Sequence, residues 1–522
     1  MLDADAINSL SIPGVLSARP GLLVADHWVT DHPALIVKAR PDHLEHVTAA
    51  LPKEIAGLPV DVRPASNLDV LAIDHPAQFA ALAASRPEFD RPAFVDEIRF
   101  SPDGEPLAIG GSADLVEFAA RVAKPQIPYT APATPLDAVE EQVTLILHAS
   151  PEAGWAQLSK FLAAAGPNLV VGMYDFTSGH VLDAVKAGIG AGNLTLTLDH
   201  PMPEKGGDQS DEETVKQLGT LMGKRFREAW ALTRPDPKTS SWIYPYSYHI
   251  KVAVRDDDSF WLSSGNWNNS NQPVIDLTDD AAAKAIAKKS DRDWHVVATS
   301  KPLADLYRAY LQHDYDVAKT HQKQADALVE FAARVDLALL DEAQPTKLPP
   351  RAFQQFFAPK TISGKIKVQP LLTPDNYQPH ILALIKSAKH RFYMQTQYIH
   401  AGKGAADAKH DELIMAVQAL IMTGVDVRLI CSQWETAEQI EELTKLGLTT
   451  KGVMRLQNGV HNKGIVVDSE VVVVSSQNWS ADGTLNNRDA GLIIYDADAA
   501  RYFEQVFLHD WENLATDRLP TV

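Results

Sequence analysis

The chain has 522 residues, too many for one compact core, and its 45% hydrophobic and 22% charged content excludes a disordered or fibrous protein. A formal net charge of −19, from 67 acidic against 48 basic residues, opposes long-range attraction to nucleic-acid backbones or anionic membranes without forbidding a local basic site. The single cysteine, Cys431, excludes an internal disulfide and reads as a buried filler after the strand-like run Val427 to Ile430.

Met1-Leu2-Asp3-Ala4-Asp5 has neither a basic start nor a long apolar segment, so no Sec-type signal peptide is expected. No stretch approaches a membrane span. The expected location is the cytoplasm, or outside the cell by a route that needs no such signal. Residues 1–130 read as a small N-terminal accessory α/β domain, for packing, assembly or substrate access. Its strands are expected at Gly21 to Val24, Ala34 to Ala39 and Val60 to Val62, with helices at His43 to Leu51 and Ala113 to Ala123 and a turn at Ser101 to Gly104. The prolines at 125, 128, 132 and 135 make Lys124 to Leu136 a linker.

Beyond it strands and helices alternate, as in a layered α/β sheet. Strands are expected at Val143 to His148, Leu169 to Phe176 and Leu194 to Leu198, with helices at Trp155 to Ala165 and His180 to Ala187. The order repeats in the strands Ile366 to Leu371, Arg391 to Tyr398 and Asp426 to Ile430 and the helices Gln378 to Ala388 and Glu412 to Met422. Ala325 to Leu340 looks like an amphipathic helix and Gln344 to Pro350 like a linker, which divides the region into halves at 131–343 and 351–522.

Each half carries the same motif. His249, Lys251 and Asp256 share the spacing H-x-K-x4-D with His461, Lys463 and Asp468, 212 positions later. Ser263-Ser264-Gly265-Asn266-Trp267 and Ser475-Ser476-Gln477-Asn478-Trp479 follow at the same distance. On a strand His249 and Lys251 face one way and Ile250, Val252 and Val254 the other. Asp257 to Ser259 then reads as a turn, and Phe260 to Leu262 as the returning strand. Arg292-Asp293 and Arg488-Asp489, like His313-Asp314 and His509-Asp510, are 196 apart, so the first half holds about sixteen more residues, placed within Asp276 to Lys289 and expected at the pocket rim.

This pair of motifs resembles the phospholipase D superfamily, although its members more often have Gly where Ser263 and Ser475 stand. The resemblance implies two tandem phospholipase D-like α-β-α sandwich halves, packed face to face as a pseudo-dimer with one site between them, in addition to the N-terminal domain. It further implies a phosphodiesterase that acts through a covalent phosphohistidine, with His249 as nucleophile and His461 as acid, or the reverse. Lys251 and Lys463, with Ser264, Asn266, Ser476 and Asn478, would hold phosphoryl oxygens, and Asp489 and Asp293 would orient the imidazoles. Asp256 and Asp468 are expected to brace the hairpins.

No Cys or His cluster has zinc spacing, so neither metal nor cofactor is expected. Gly188 to Gly192 reads as a turn, and Gly402 to Ala405 as a loop over the site or a solvated linker. The alternating aromatics Trp242, Tyr244, Tyr246 and Tyr248 read either as the lining of an apolar or stacking cleft or as sheet core; as cleft lining, with Trp267 and Trp479 beside the asparagines, they suit an apolar or zwitterionic neighbour of the phosphate. The expected substrate is therefore a phospholipid head group, with possible transphosphatidylation, peripheral membrane contact and a monomeric protein. A metal-independent nuclease or small-molecule phosphodiesterase, and an inactive binding scaffold, are the alternatives.

Overall fold

The structure is a computed structural model, and it describes residues 12–25, 28–55, 58–65, 70, 73, 129–199, 208–231, 247–326, 348, 355–517 and 519–520. The turn at Ser101, the helix from Ala113, the aromatics Trp242, Tyr244 and Tyr246, and most of the helix and linker between the halves lie outside the described residues. The chain divides into two compact units, one holding Met1–Val122 with Asp336–Gln344 and Pro520–Val522, the other Ala123–Val335 with Pro345–Leu519.

In the smaller unit, β1 (Val15–Ala25) pairs antiparallel with β2 (Trp28–Ala39), and β2 pairs parallel with β4 (Leu58–Pro64), whose other edge takes β3 (Glu54–Ile55). Helix α1 (Leu44–Ala50) makes the crossover that the parallel pair requires, and its Val47 packs with Leu35, Val37 and Ala39.

The larger unit is two copies of one pattern. The first half contributes β5 (Val139–Ser150), α2 (Gly154–Ala163), β6 (Asn168–Met173), α3 (Gly179–Ile189), β7 (Asn193–Leu198), α4 (Asp211–Met222) and β8 (Phe226–Trp230). It continues with β9 (Lys251–Arg255), β10 (Ser259–Ser263), α5 (Asp280–Ala287), β11 (Asp293–Thr299) and α6 (Lys301–Asp326). The second half runs β12 (Lys360–Thr373), α7 (Tyr377–Ser387), β13 (Arg391–Thr396), α8 (Ala408–Met422), β14 (Asp426–Ser432), α9 (Ala437–Leu446) and β15 (Met454–Gln457). After these come β16 (Lys463–Val467), β17 (Val471–Ser475), β18 (Asp489–Tyr495) and α10 (Ala497–Asn513).

Among the described residues all fourteen of these strands form one sheet, in the order β15-β14-β13-β16-β17-β18-β12-β5-β11-β10-β9-β6-β7-β8. The order is its own mirror image about the β12–β5 seam. That seam pairs antiparallel from Lys360 with Leu147 to Val368 with Val139, so the two halves share a sheet as well as a surface.

Helices cover both faces. On one, α6 and α10 bury a core common to both halves, with Leu147, Val252, Tyr307 and Leu311 from the first and Leu492, Phe503 and Val506 from the second. On the other, α2, α3 and α4 pack Leu158, Leu182 and Leu218 over the first half, while α7, α8 and α9 pack Ile381, Val417 and Leu443 over the second. Each such side chain contributes about 1.5–3 kcal/mol on leaving water. The expected sandwich halves and pseudo-dimer are therefore present.

Cross-half packing is close. A Cβ on Gly464 would lie 2.2 Å from the Trp294 ring, so only glycine lets that indole sit against the second motif, where it stacks on Phe503. Residues 129–136 have no regular structure, as their prolines require, but they are pinned to the second half. There the Tyr129 hydroxyl donates to Asp375 at 2.8 Å, and Leu136 O accepts from Gln369 Nε2 at 2.7 Å.

The predicted insertion is real, and α5 lies within it. Cys431 is fully buried, and Gly188 to Gly192 ends α3 and turns into β7, with Gly190 at φ 51°. Helices α4 and α9 with edge strands β8 and β15 were not expected from the sequence.

Candidate active site

Both motif hairpins are closed by their aspartates. Asp468 and Ser469 adopt φ of 53° and 57°, the geometry of a tight two-residue turn, and the Asp468 carboxylate accepts from the backbone N–H of Lys389, His390 and Arg391 at 2.8–2.9 Å. Asp256 accepts from Asn168 Nδ2 at 2.6 Å. Each aspartate ties its hairpin to the start of the neighbouring strand, at the end of β9 or β16 remote from the histidine.

His249 and His461 stand just ahead of β9 and β16 rather than inside them. Each imidazole reaches into the opposite half. His249 Nδ1 lies 2.8 Å from Asp489 Oδ1, and His461 Nδ1 lies 3.0 Å from Asp293 Oδ1. The carboxylates open β18 and β11, which β17 and β10 separate from the strands that follow the histidines in their own halves. Backbone bridges hold this exchange in register. Arg488 N donates to Ser247 O at 2.9 Å, Arg292 N to Gly459 O at 2.7 Å, and His461 N to Arg292 O at 3.1 Å.

Lys251 and Lys463 begin their strands, 0% and 2% exposed, and each ammonium donates to the carbonyl of its own motif histidine, Lys251 at 2.6 Å. Two imidazoles, two ammonium groups and two carboxylates thus meet in one buried cluster.

The cluster is electrostatically unequal. Burial first, then the charges of Lys251, Lys463 and His461, hold the His249 imidazole well below the usual histidine range. Burial pushes its partner Asp489 up to about 7, against the opposing pull of Lys251. At the other pair, burial also raises Asp293, but His461, His295 and Lys463 outweigh it and bring the carboxyl down to about 2. Asp293 has three donors, with Ser264 Oγ at 2.7 Å and Asn271 Nδ2 at 3.0 Å besides His461. Asp489 has Ser476 Oγ at 2.6 Å besides His249. Burial brings Lys463 down to about 8 and holds Lys251 well below the usual lysine range.

Two expectations change. Ser264 and Ser476, expected on phosphoryl oxygens, give their hydroxyl protons to the two carboxylates and accept from the backbone N–H of Trp294 and Ala490 at 3.1 Å. Trp267 and Trp479 are core, 0% and 2% exposed. Trp267 packs edge-on to Phe176, and Trp479 Nε1 donates to the Tyr377 hydroxyl at 3.2 Å. Tyr248 is fully buried, in line with its reading as sheet core. Asn266 and Asn478 remain beside the cluster, 5% and 8% exposed, and their Oδ1 atoms have no partner among the described residues.

Other residues take part without having been singled out. Tyr174 meets the His249 ring edge-on at 4.8 Å and lies 4.9 Å from Lys251 Nζ. Arg292 grips Asp510 with Nε at 2.9 Å and Nη2 at 3.0 Å, and Glu152 with Nη1 at 2.8 Å. Arg488 does the same across the axis, with Asp314 at 3.1 and 3.2 Å and Asp375 at 2.8 Å. Both arginines directly precede the two carboxylates and are fully buried. Their sequence signal was the spacing of 196 that they share with Asp314 and Asp510. Among the described residues no group of three or more His, Cys, Asp or Glu side chains is arranged to hold a metal ion, and no helix is long and apolar enough to cross a membrane.

Residues 381–511 match the family described as cardiolipin synthase, PLD-like domain. Over 138 residues the chain is 27% identical to a cardiolipin synthase 2 of Staphylococcus epidermidis, covering 25% of this chain and 26% of that one. Over 104 residues it is 35% identical to the mitochondrial cardiolipin hydrolase of Mus musculus, covering 19% of this chain and 47% of the hydrolase. The matches thus span between a quarter and a half of these relatives' length. Among solved structures, the phosphatidylserine synthase of Haemophilus influenzae Rd KW20 covers 71% of this chain and 87% of its own, at 13% identity and a TM-score of 0.45. Residues 381–511 thus form a PLD-like domain of the phospholipase D superfamily, and the motif they carry meets its copy from the first half at one cluster.

Proposed function

We propose that this protein is a phospholipase D-type phosphodiesterase that cleaves or transfers a phospholipid head group through a phosphohistidine on His249. The observation that carries the proposal is the exchange of carboxylates between halves, which leaves two imidazoles in one site with unequal surroundings. The relatives named for cardiolipin synthesis and hydrolysis support the substrate class.

Nδ1 of each histidine faces a carboxylate, so the chemistry falls to Nε2. His249, kept neutral, attacks phosphorus, and the bond from phosphorus to the leaving oxygen breaks as an N–P bond forms. His461 gives its proton to that oxygen, and ionised Asp293 stabilises its imidazolium. Neutral His461 then takes a proton from water or an alcohol, whose oxygen displaces His249 from phosphorus. Lys251, Lys463 and the amide groups of Asn266 and Asn478 hold the phosphoryl oxygens, and Ser264 and Ser476 lock the carboxylates that orient the imidazoles. Tyr174 shields His249 from water.

A substrate panel tests the reading. With a chelator present throughout, phosphatidylcholine or cardiolipin in micelles is cleaved faster than single-stranded or duplex DNA at physiological salt, and an added primary alcohol yields the phosphatidyl alcohol. Lysines supply the positive charge, so chelation leaves the rate unchanged. Rapid DNA cleavage that falls steeply with salt, without lipid turnover, points instead to the nuclease; no turnover of any diester points to a binding scaffold.

The pH profile follows from the same charges. Because kcat/KM reports the free enzyme, its basic limb begins where His461 loses the proton it must donate, below the usual histidine range because burial and then Lys463 hold it down, and it falls further through about 8, where Lys463 loses its proton. His249 stays neutral to well below pH 6.5, so the acid limb lies lower still. A profile flat from neutrality to pH 10 contradicts the role given to Lys463.

A further inference from the structure

The two halves repeat each other around the orienting carboxylates, but one pair of corresponding positions carries different side chains. Asn271 lies 212 residues before Gly483, the spacing of the motifs themselves. Their main chains are held alike. Asn271 O accepts from Ser150 Oγ at 2.6 Å and Gly483 O from Thr373 Oγ1 at 3.3 Å, and Ser150 and Thr373 are the residues that pair with Asp293 and Asp489 in the sheet. The side chain of Asn271, 1% exposed, has no copy in the second half. Its Nδ2 donates to Asp293 Oδ2 at 3.0 Å and to Asp291 Oδ2 at 3.1 Å, while its Oδ1 accepts from the backbone N–H of Asn266 at 3.0 Å.

A Cβ on Gly483 would lie 2.3 Å from Asn478 O, so the main chain of the second half occupies the space that such a side chain needs. Oδ2 of the fully buried Asp489 accordingly has no hydrogen-bond partner among the described residues. Asn487 stands where Asp291 does, at the spacing of 196, and pulls on the Asp489 carboxyl less than Lys251, Ser476 or Lys463 does. His461 therefore faces a carboxylate whose second oxygen is already bonded, with the charge of Asp291 also acting on it. His249 faces a carboxylate whose second oxygen is bare, with an amide where the further charge would be. Donors to the charged form of a carboxyl favour ionisation, and a bare buried oxygen opposes it, so only the first arrangement is suited to hold an imidazolium.

We propose that Asn271 is the positioning residue that sets the two histidines apart in role: by holding Asp293 and Asp291 together it makes His461 the one that gives its proton to the leaving oxygen and leaves His249 to attack phosphorus. The inference rests on the phosphohistidine reading of the site. Asn271 acts through the two carboxylates, and through the main chain of Asn266, rather than on the substrate. Its two connections separate by chemistry. Support of Asn266 serves any diester, whereas support of Asp293 matters only where the leaving oxygen needs a proton.

The test uses the full-length protein and two soluble diesters, a short-chain phosphatidylcholine, whose alkoxide leaving group needs a proton, and bis(4-nitrophenyl) phosphate, whose nitrophenolate does not. Asn271→Leu keeps the side-chain shape and removes the donor, while the main chain stays held by Ser150 Oγ and by Asn268 Oδ1, which accepts from Asn271 N at 2.9 Å. This variant is expected to lower kcat/KM for the phosphatidylcholine about tenfold more than for the nitrophenyl diester, a part of what a general acid contributes. Asp291→Asn, an isosteric change at a half-buried position, is expected to shift the same ratio in the same sense by a smaller factor, and it decides the matter if Asn271→Leu does not fold. A wild-type ratio in Asn271→Leu overturns the role even if both rates fall together, since that is the mark of a merely structural support. His461→Ala separates this role from the reading beneath it. If that variant discriminates between the diesters and Asn271→Leu does not, the role of Asn271 alone falls; if His461→Ala treats them alike, His461 is not the acid and both fall. Wild-type protein that turns over neither diester overturns both as well.

Discussion

His249→Ala and His461→Ala each lower phospholipid turnover about a thousandfold or more, because one removes the nucleophile and the other the acid, and both contributions are large. The fold survives, since neither ring belongs to the three main apolar cores. The two losses differ in kind. After rapid quench and denaturation, wild-type protein carries an acid-labile, base-stable phosphoryl label, and His249→Ala carries none. A diester whose leaving group needs no proton, such as a nitrophenyl ester, still loads His249 in His461→Ala, but release is slow because the base is missing, so the label accumulates. Label retained in His249→Ala would exchange the two roles, and full activity in that variant would end the assignment.

Removing Arg292 or Arg488 is expected to produce the largest loss of stability. Arg292→Ala leaves Asp510 and Glu152 fully buried without their cation, and Arg488→Ala does the same to Asp314 beside Asp375; loss of one partner of such a pair costs about 3–5 kcal/mol. Lysine does not rescue, because the planar fork that meets Asp510 through Nε and Nη2 has no counterpart in an ammonium group. Each arginine joins the halves and directly precedes an orienting carboxylate, so activity falls together with stability. Urea unfolding of Arg292→Ala, Asp510→Ala and the double variant measures the coupling. An Arg292→Ala protein with wild-type midpoint and turnover would show that the clamp contributes nothing.

How far the sequence leads is clearest from particular residues. The hairpins were legible because a strand's alternation and a turn's residue types are local properties, and β9 with β10 and β16 with β17 depend on little else. The duplication was legible because spacings of 212 and 196 survive any folding. Elements at the sheet margins were not. β15 is the four residues Met454–Gln457 and β8 carries Arg227 and Glu228, so neither presents the apolar run that marks a buried strand.

By itself, then, the sequence determined that two His-x-Lys motifs exist, that each opens a hairpin, and that Asp293 and Asp489 lie at matching places. Which carboxylate meets which imidazole was decided only in three dimensions. Asp293 is far nearer to His249 than to His461 along the chain, yet the β12–β5 seam and the Arg292 and Arg488 bridges place it on His461. Tertiary packing likewise took Trp267 and Trp479 into the core and turned Ser264 and Ser476 onto carboxylates. A residue's neighbours along the chain fix the face it can present, whereas its partner depends on what the rest of the sheet brings to that face, and here the other half of the molecule supplies it.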